Sequence, residues 1–230
     1  MAYRIAVDIG GTFTDFCVFN EENSSLSTHK VLSTPNKPGS EIVLGVTELE
    51  EKGVLVPTEV SWFSHGTTVG INTVIQRSGA ELALFVTSGF EDVLEVARLK
   101  VPDPYNIFSR RADPLVPRER VFGICQRTLK DGSVDSELNE ETVKKAIKSA
   151  KDMGSDTIVI ALLHSYANNK DERRIREIIN SIEPEMAVTL SSDVWPVIRE
   201  YERTVTTTVA GYVQRRVANY LTAFQNALKT

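Results

Sequence analysis

Cysteine is scarce in this chain of 230 residues: Cys17 and Cys125 are the only two, and neither belongs to a Cys-x-x-Cys pair. That excludes zinc ribbons and dithiol redox motifs and points to a reducing compartment. Histidine is also sparse, and the scattered positions His29, His65 and His164 lead us to expect no zinc site. Long apolar runs are missing; the longest, Ile158 to Leu163, falls far short of the ~20 residues of a membrane-spanning helix. The start has no secretory pattern, because the apolar stretch after Arg4 is broken at Asp8. Excess positive charge is missing too. A formal net charge of −5 gives no electrostatic case for nucleic acid or an anionic membrane. No Gly-x-x-x-x-Gly-Lys-[Ser/Thr] string occurs, so there is no Walker A loop. These absences describe a cytoplasmic protein.

What is present is ordinary for a globular chain, with 41% apolar and 25% charged residues. Ile5–Val7, Phe13–Phe19 and Leu26–Leu32 read as a β-meander. A helix is expected from near Pro38, with Ile42, Val43, Val46 and Leu49 as its buried stripe and Gly53 as its stop. Strands at 60–64 and 82–86 flank a short helix. Residues 98–138 are expected to be an irregular excursion, rich in Pro and Arg at first and without a clear period.

From Asn139 the pattern becomes βαβα-like. Asn139 caps a helix with apolar Val143, Ala146, Ile147, Ala150 and Met153, stopped by Gly154. Thr157–Leu163 reads as a strand buried on both faces. Ile175, Ile178, Ile179 and Ile182 form the next helix, stopped by Pro184, and Ala187–Leu190 a further strand. From about Val194 the spacing is helical again, although the β-branched run Thr204–Val209 weakens it. The sequence runs out while still helical, which reads as a cut through a longer protein. The expected divisions are 1–97, 98–138 and 139–230.

The most informative string is Asp8-Ile9-Gly10-Gly11-Thr12-Phe13-Thr14-Asp15, a turn between two strands. Adjacent glycines free the backbone and clear space for a close ligand. Converging N–H groups make an anion nest, to which Thr12 and Thr14 add hydroxyls. Asp8, at the strand end, suits a hard cation such as Mg²⁺. A decorated hairpin turn is the plainer reading, but an aspartate before the glycines, with two threonines and a second aspartate after them, favours phosphate. The glycines do not lead into a helix, as a Rossmann fingerprint requires.

The loop resembles the first phosphate motif of the actin, Hsp70 and sugar-kinase superfamily. Gly-Gly-Thr-Phe-Thr-Asp more narrowly resembles the N-terminal domain of the hydantoinase A, 5-oxoprolinase and acetone carboxylase family. Further matches follow in order: His65-Gly66-Thr67-Thr68 with Asn72-Thr73, Gly89-Phe90-Glu91-Asp92-Val93-Leu94, Pro114-Leu115-Val116-Pro117-Arg118, Leu162-Leu163-His164-Ser165-Tyr166 and Arg199-Glu200-Tyr201-Glu202-Arg203-Thr204. The resemblance implies an α/β fold of the ribonuclease H-like, actin-like ATPase lobe type: a mixed sheet opening on a meander, a further α/β portion and a long C-terminal helix. It implies ATP and Mg²⁺, a carbonyl activated by phosphorylation, and a hydantoinase B-like second subunit. Family members carry a second glycine loop in another lobe. This chain has one, so by itself it is expected to be inactive, lacking its C-terminal lobe.

On this resemblance Asp8, Asp15 and His65 are candidate catalytic residues, with Asp8 on the metal. Gly10, Gly11, Thr12, Phe13, Thr14, Thr67 and Thr68 are candidates for nucleotide, and Arg98 and Asn72 for substrate. Thr67 or Thr68 also reads as a plain helix cap, and Arg98 as half of a surface salt bridge. Arg199–Arg203 reads largely as a charged helix face on which Glu200 and Arg203 can pair. His164, after a buried strand, is more often structural than catalytic. The expected activity is ATP-dependent opening of hydantoin, N-methylhydantoin or 5-oxoproline, with acetone-type carboxylation as a variant. A small-molecule kinase of the same superfamily and a non-catalytic nucleotide-binding module are the alternatives.

Overall fold

The computed structural model describes residues 2–34 and 39–227. Its packing separates two compact units: 1–78 with 215–230, and 79–214. The boundaries expected at 97 and 138 both fall inside the second unit.

The first unit is built on β1 (Tyr3–Ile9), β2 (Phe13–Asn20) and β3 (Ser25–Leu32), an antiparallel meander, with β4 (Val60–Thr67) parallel to β1. The order is β3-β2-β1-β4. Strict alternation puts Tyr3, Ile5, Val7 and Ile9 inside and Arg4, Ala6 and Asp8 outside. Helix α1 (Ser40–Glu51) joins β3 to β4, and α2 (Val69–Ile75) follows β4. The expected helix start at Pro38 lies outside the described residues. The buried stripe of α1 runs through Ile42, Gly45 and Leu49, while Val43 points to solvent. Gly45 is there for space: a Cβ would sit 2.3 Å from Phe16 Cζ. Gly53, at φ +68, ends the helix region as expected. Tyr220 and Phe224 complete this core.

The second unit carries an all-parallel sheet of order β10-β9-β5-β6. Its elements in sequence are β5 (Leu82–Thr87), a single turn α3 (Val93–Val96), β6 (Val121–Ile124), a small hairpin of β7 (Arg127–Thr128) and β8 (Val134–Ser136), α4 (Glu140–Asp152), β9 (Thr157–Ala161), α5 (Lys170–Ile182), β10 (Ala187–Leu190) and α6 (Ser191–Val194). Helix α7 (Glu200–Ala227) contributes residues up to 214 here and the rest to the first unit. β5 and β9 are buried at every residue, as central parallel strands must be.

The excursion expected over 98–138 is therefore interrupted: β6 joins the sheet, and β7 and β8 pair with each other. Four residues with an internal glycine are too short to show a period. Asn139 caps α4 by accepting from the N–H groups of Glu141 and Thr142, and Gly154 (φ +76) stops it. Met153 and Ile182 end their stripes exposed. The β-branched run in α7 is helical nonetheless, with the Thr204 and Thr207 hydroxyls donating to the carbonyls of Glu200 and Arg203.

Candidate functional site

The glycine loop closes the β1–β2 hairpin. Gly10 is required by crowding rather than by left-handed backbone, while at Gly11 an added Cβ would only touch a side chain. At Gly10 a Cβ would lie 2.9 Å from the Phe13 carbonyl oxygen, and at Gly11 3.4 Å from Asn72 Nδ2. The Gly10 N–H donates to the Phe13 carbonyl at 3.0 Å. The N–H groups of Gly11 and Thr12 have no protein partner among the described residues, which leaves them available to an anion. Ser33 staples the loop from β3's end: its N–H donates to Thr12 O (2.9 Å) and its hydroxyl to Gly10 O (2.8 Å). Thr14 is fully buried, with its hydroxyl 2.9 Å from that of Ser33. Because Ser33 spends its proton on Gly10, Thr14 is the donor in this pair and braces the loop from behind.

The carboxylates lie on the sheet's open face. Register sets Gly66, Asp8, Asp15 and Lys30 side by side across β4, β1, β2 and β3. Asp8 Oδ1 would be 3.5 Å from a Cβ on Gly66, so glycine there leaves room beside the carboxylate. Asp15 pairs with Lys30 at 3.0 Å, and Lys30 also lies over the half-exposed Phe13 ring. Among the described residues no three His, Cys, Asp or Glu side chains converge as a metal cage. Two adjacent carboxylates nevertheless fit Mg²⁺, which characteristically takes one or two carboxylates together with substrate phosphates.

A cavity of about 180 Å³ opens inside the first unit, beside the loop. Of the residues singled out in the sequence, Gly10, Gly11, Thr67, Thr68 and Asn72 line it. Thr67 Oγ1 accepts from the Val69 N–H at 3.2 Å, tying β4 to α2, and Asn72 Nδ2 donates to Thr68 Oγ1 at 3.1 Å. Asp8, Thr12, Phe13, Thr14, Asp15 and His65 belong to the same unit but not to this lining. His65 packs instead against Phe224, with ring centroids 4.3 Å apart, and against Tyr220 at 5.9 Å.

The remaining lining was not foreseen. Glu41, 2% exposed, is joined by the Thr34 hydroxyl; Tyr220, 5% exposed, and the buried Ser78 hydroxyl have no properly formed hydrogen bond. Burial pushes the Tyr220 phenol above its ordinary value; the Thr67 side chain opposes this and the Glu41 charge adds to it. A carboxylate one residue before a helical apolar stripe, and a tyrosine ~180 positions further on, leave no joint trace in a sequence. Arg216 completes the cavity's charged lining.

The second unit disposes of other candidates. Arg98 is engaged by both carboxylate oxygens of Glu202, which hold its guanidinium above the usual range. Arg203 is not on a solvated face: it is 1% exposed and donates to Leu162 O (2.8 Å), Val197 O (2.6 Å) and Ser191 Oγ (3.2 Å). The buried Glu172 also reaches Ser191, at 2.7 Å, and accepts from the Leu162 N–H. Glu200 pairs with neither; its carboxylate is 4.0 Å from His164 Nδ1. His164 holds a left-handed φ of 58° and lies edge-on to Tyr166.

Comparison with known proteins agrees with this architecture. Caprolactamase subunit alpha from Pseudomonas jessenii is 31% identical over 225 residues, which cover 95% of this chain and 32% of that subunit. Nucleotide-free acetone carboxylase superposes with a TM-score of 0.88 at 29% identity, over 99% of this chain and 34% of its own. The ATP-dependent caprolactamase from Pseudomonas jessenii does so with a TM-score of 0.79 at 30% identity, over 96% and 34%. The chain thus spans about a third of the length of these relatives and has their actin-like ATPase fold. Residues 4–183 match the family described as hydantoinase/oxoprolinase N-terminal region, and with the glycine hairpin, the meander and the superpositions in agreement, the chain belongs to that family.

Proposed function

We propose that this chain supplies one phosphate loop of an ATP- and Mg²⁺-dependent enzyme that activates a carbonyl by phosphorylation. The substrate would be a cyclic amide such as hydantoin, N-methylhydantoin or 5-oxoproline, with acetone-type carboxylation as the variant. The observation that carries this reading is the pair of unpartnered N–H groups at Gly11 and Thr12, on a hairpin whose glycines line a cavity with Thr67 and Thr68. Backbone donors fixed before a ligand arrives stabilise charge without reorganising.

In this reading Gly11, Thr12 and the Phe13 backbone receive phosphate oxygens, Thr67 and Thr68 present hydroxyls from the far side, and Thr14 shapes the loop. Asp8, with Asp15 beside it, holds Mg²⁺, which neutralises phosphate charge when bound. The amide oxygen attacks the terminal phosphorus as ADP leaves; water then adds to the activated carbon, the C–N bond opens and phosphate departs. His65 acts by supporting the Tyr220 wall. Arg98, committed to Glu202, has its substrate role reduced to one requiring that pair to open. The other glycine loop and the adenine contacts belong to a further lobe, and a hydantoinase B-like subunit completes the enzyme in the cytoplasm. The 230-residue chain alone is inactive.

The test is phosphate release from ATP by the full-length protein with its partner subunit, with and without hydantoins, 5-oxoproline and acetone. Stimulation by one of these is expected. Asp8→Ala should lower stimulated turnover by at least a hundredfold while shifting the unfolding midpoint little, since the carboxylate is exposed. Transfer of phosphate to a sugar hydroxyl, or an Asp8→Ala enzyme with full turnover, would overturn the reading.

A further inference from the structure

We propose that this cavity is a reader of secondary amides, with the Glu41 carboxylate accepting the substrate's N–H and the Tyr220 hydroxyl donating to its carbonyl. The site would therefore select lactams and cyclic imides over ketones of equal size. This rests on the proposed carbonyl activation, and it decides between the two substrate chemistries that the relatives leave open.

Three observations lead to it. Glu41 is 2% exposed, yet among the described residues its only hydrogen-bond partner is the Thr34 hydroxyl, and no cation pairs with it. A carboxylate offers about four acceptor positions, and Thr34 fills one of them, which leaves the rest to the cavity that Glu41 lines. Tyr220 is 5% exposed and its hydroxyl has no properly formed hydrogen bond, the Thr67 side chain being the polar group beside it, and Ser78 Oγ in the same cavity has no partner. Burial holds the phenol's proton above its ordinary range, so Tyr220 stays neutral and able to donate through the physiological range; Glu41 is close enough to contribute to that shift.

An amide held cis in a ring carries an N–H and a C=O on adjacent atoms, one for each wall group. A ketone carries only the acceptor and would leave Glu41 unsatisfied. Sites built to hydrogen-bond a group reject analogues lacking it far more strongly than apolar pockets reject a missing methylene. Size agrees: a cavity of about 150 Å³ takes up benzene, and this one measures about 180 Å³. Position agrees as well, since Gly10 and Gly11 border the same cavity and keep a bound carbonyl beside the phosphate loop.

Four five-membered rings test the proposal on the full-length protein by ligand-observed NMR: pyrrolidinone, N-methylpyrrolidinone, cyclopentanone and the cation pyrrolidinium. Pyrrolidinone should bind at least tenfold more tightly than the other three. Glu41→Gln, which keeps the shape and removes the charge, should cut that preference on the order of tenfold. Tyr220→Phe should weaken pyrrolidinone and cyclopentanone alike. The wild-type comparison holds whether or not the variants fold. Equal binding of the ketone, a preference for pyrrolidinium, or no binding of any ring would overturn the assignment. ATP affinity is measured in parallel: ATP bound with no discrimination among rings rejects the amide reader alone, and discrimination without ATP binding rejects the phosphate reading alone.

Discussion

A Cβ on Gly45 would meet Phe16 Cζ at 2.3 Å and Cε2 at 2.4 Å, and both partners sit in the first unit's core. Alanine normally gains about 0.5–1 kcal/mol over glycine in a helix. Overpacking a fitted core costs about 1–3 kcal/mol, and the aromatic ring has core atoms behind it. We therefore expect Gly45→Ala to destabilise the protein by about 1–2 kcal/mol, read as a lowered urea midpoint; an unchanged or raised midpoint would sink the argument. The same residue shows what was legible at this scale. The glycine hairpin and its aspartates stood out because their chemistry is contiguous in the chain. Ser33, Glu41, Ser78 and Tyr220 did not, because each is an unremarkable residue until the fold brings them to one cavity. Arg203 was misread for a related reason: nothing local shows that the carbonyls of Leu162 and Val197 wait to receive it.

Elements were legible where period and cap agree. Helix α4 has both, with Val143, Ala146, Ile147 and Ala150 inside and Asn139 accepting two N–H groups at its start. Asn139→Ala should cost about 1 kcal/mol, measurable as a shift in urea midpoint, and no shift would mean that water replaces the cap at no cost. β6 was not legible, since Val-Phe-Gly-Ile is too brief for a pattern, and it gains its place only by pairing with β5 from Leu84–Val121 to Thr87–Ile124. α1 was legible but for one position: of Ile42, Val43, Val46 and Leu49, all but Val43 face the core, and Gly45 joins them because it packs on the Phe16 ring.

At the scale of the molecule, the second unit is one continuous stretch, 79–214, set within a first unit assembled from both ends of the sequence. Its main apolar cluster ends at Leu190 and its other buried residues, such as Tyr212, still lie within the stretch, whereas the first unit's core needs Tyr220 and Phe224. A chain ended after Gln214 should thus keep slow hydrogen exchange in β5 and β9 and lose it in β1 and β4; equal protection in all four strands would contradict this division. The same discontinuity has a consequence for biosynthesis. The phosphate hairpin leaves the ribosome before the helix turn that closes its core, and the whole of 79–214 is made between them. At about 5–20 residues per second that wait is on the order of ten seconds. Through it the four strands form a sheet whose core face lacks Tyr220 and Phe224, a client for whatever shields apolar surface until residues 215 onward emerge.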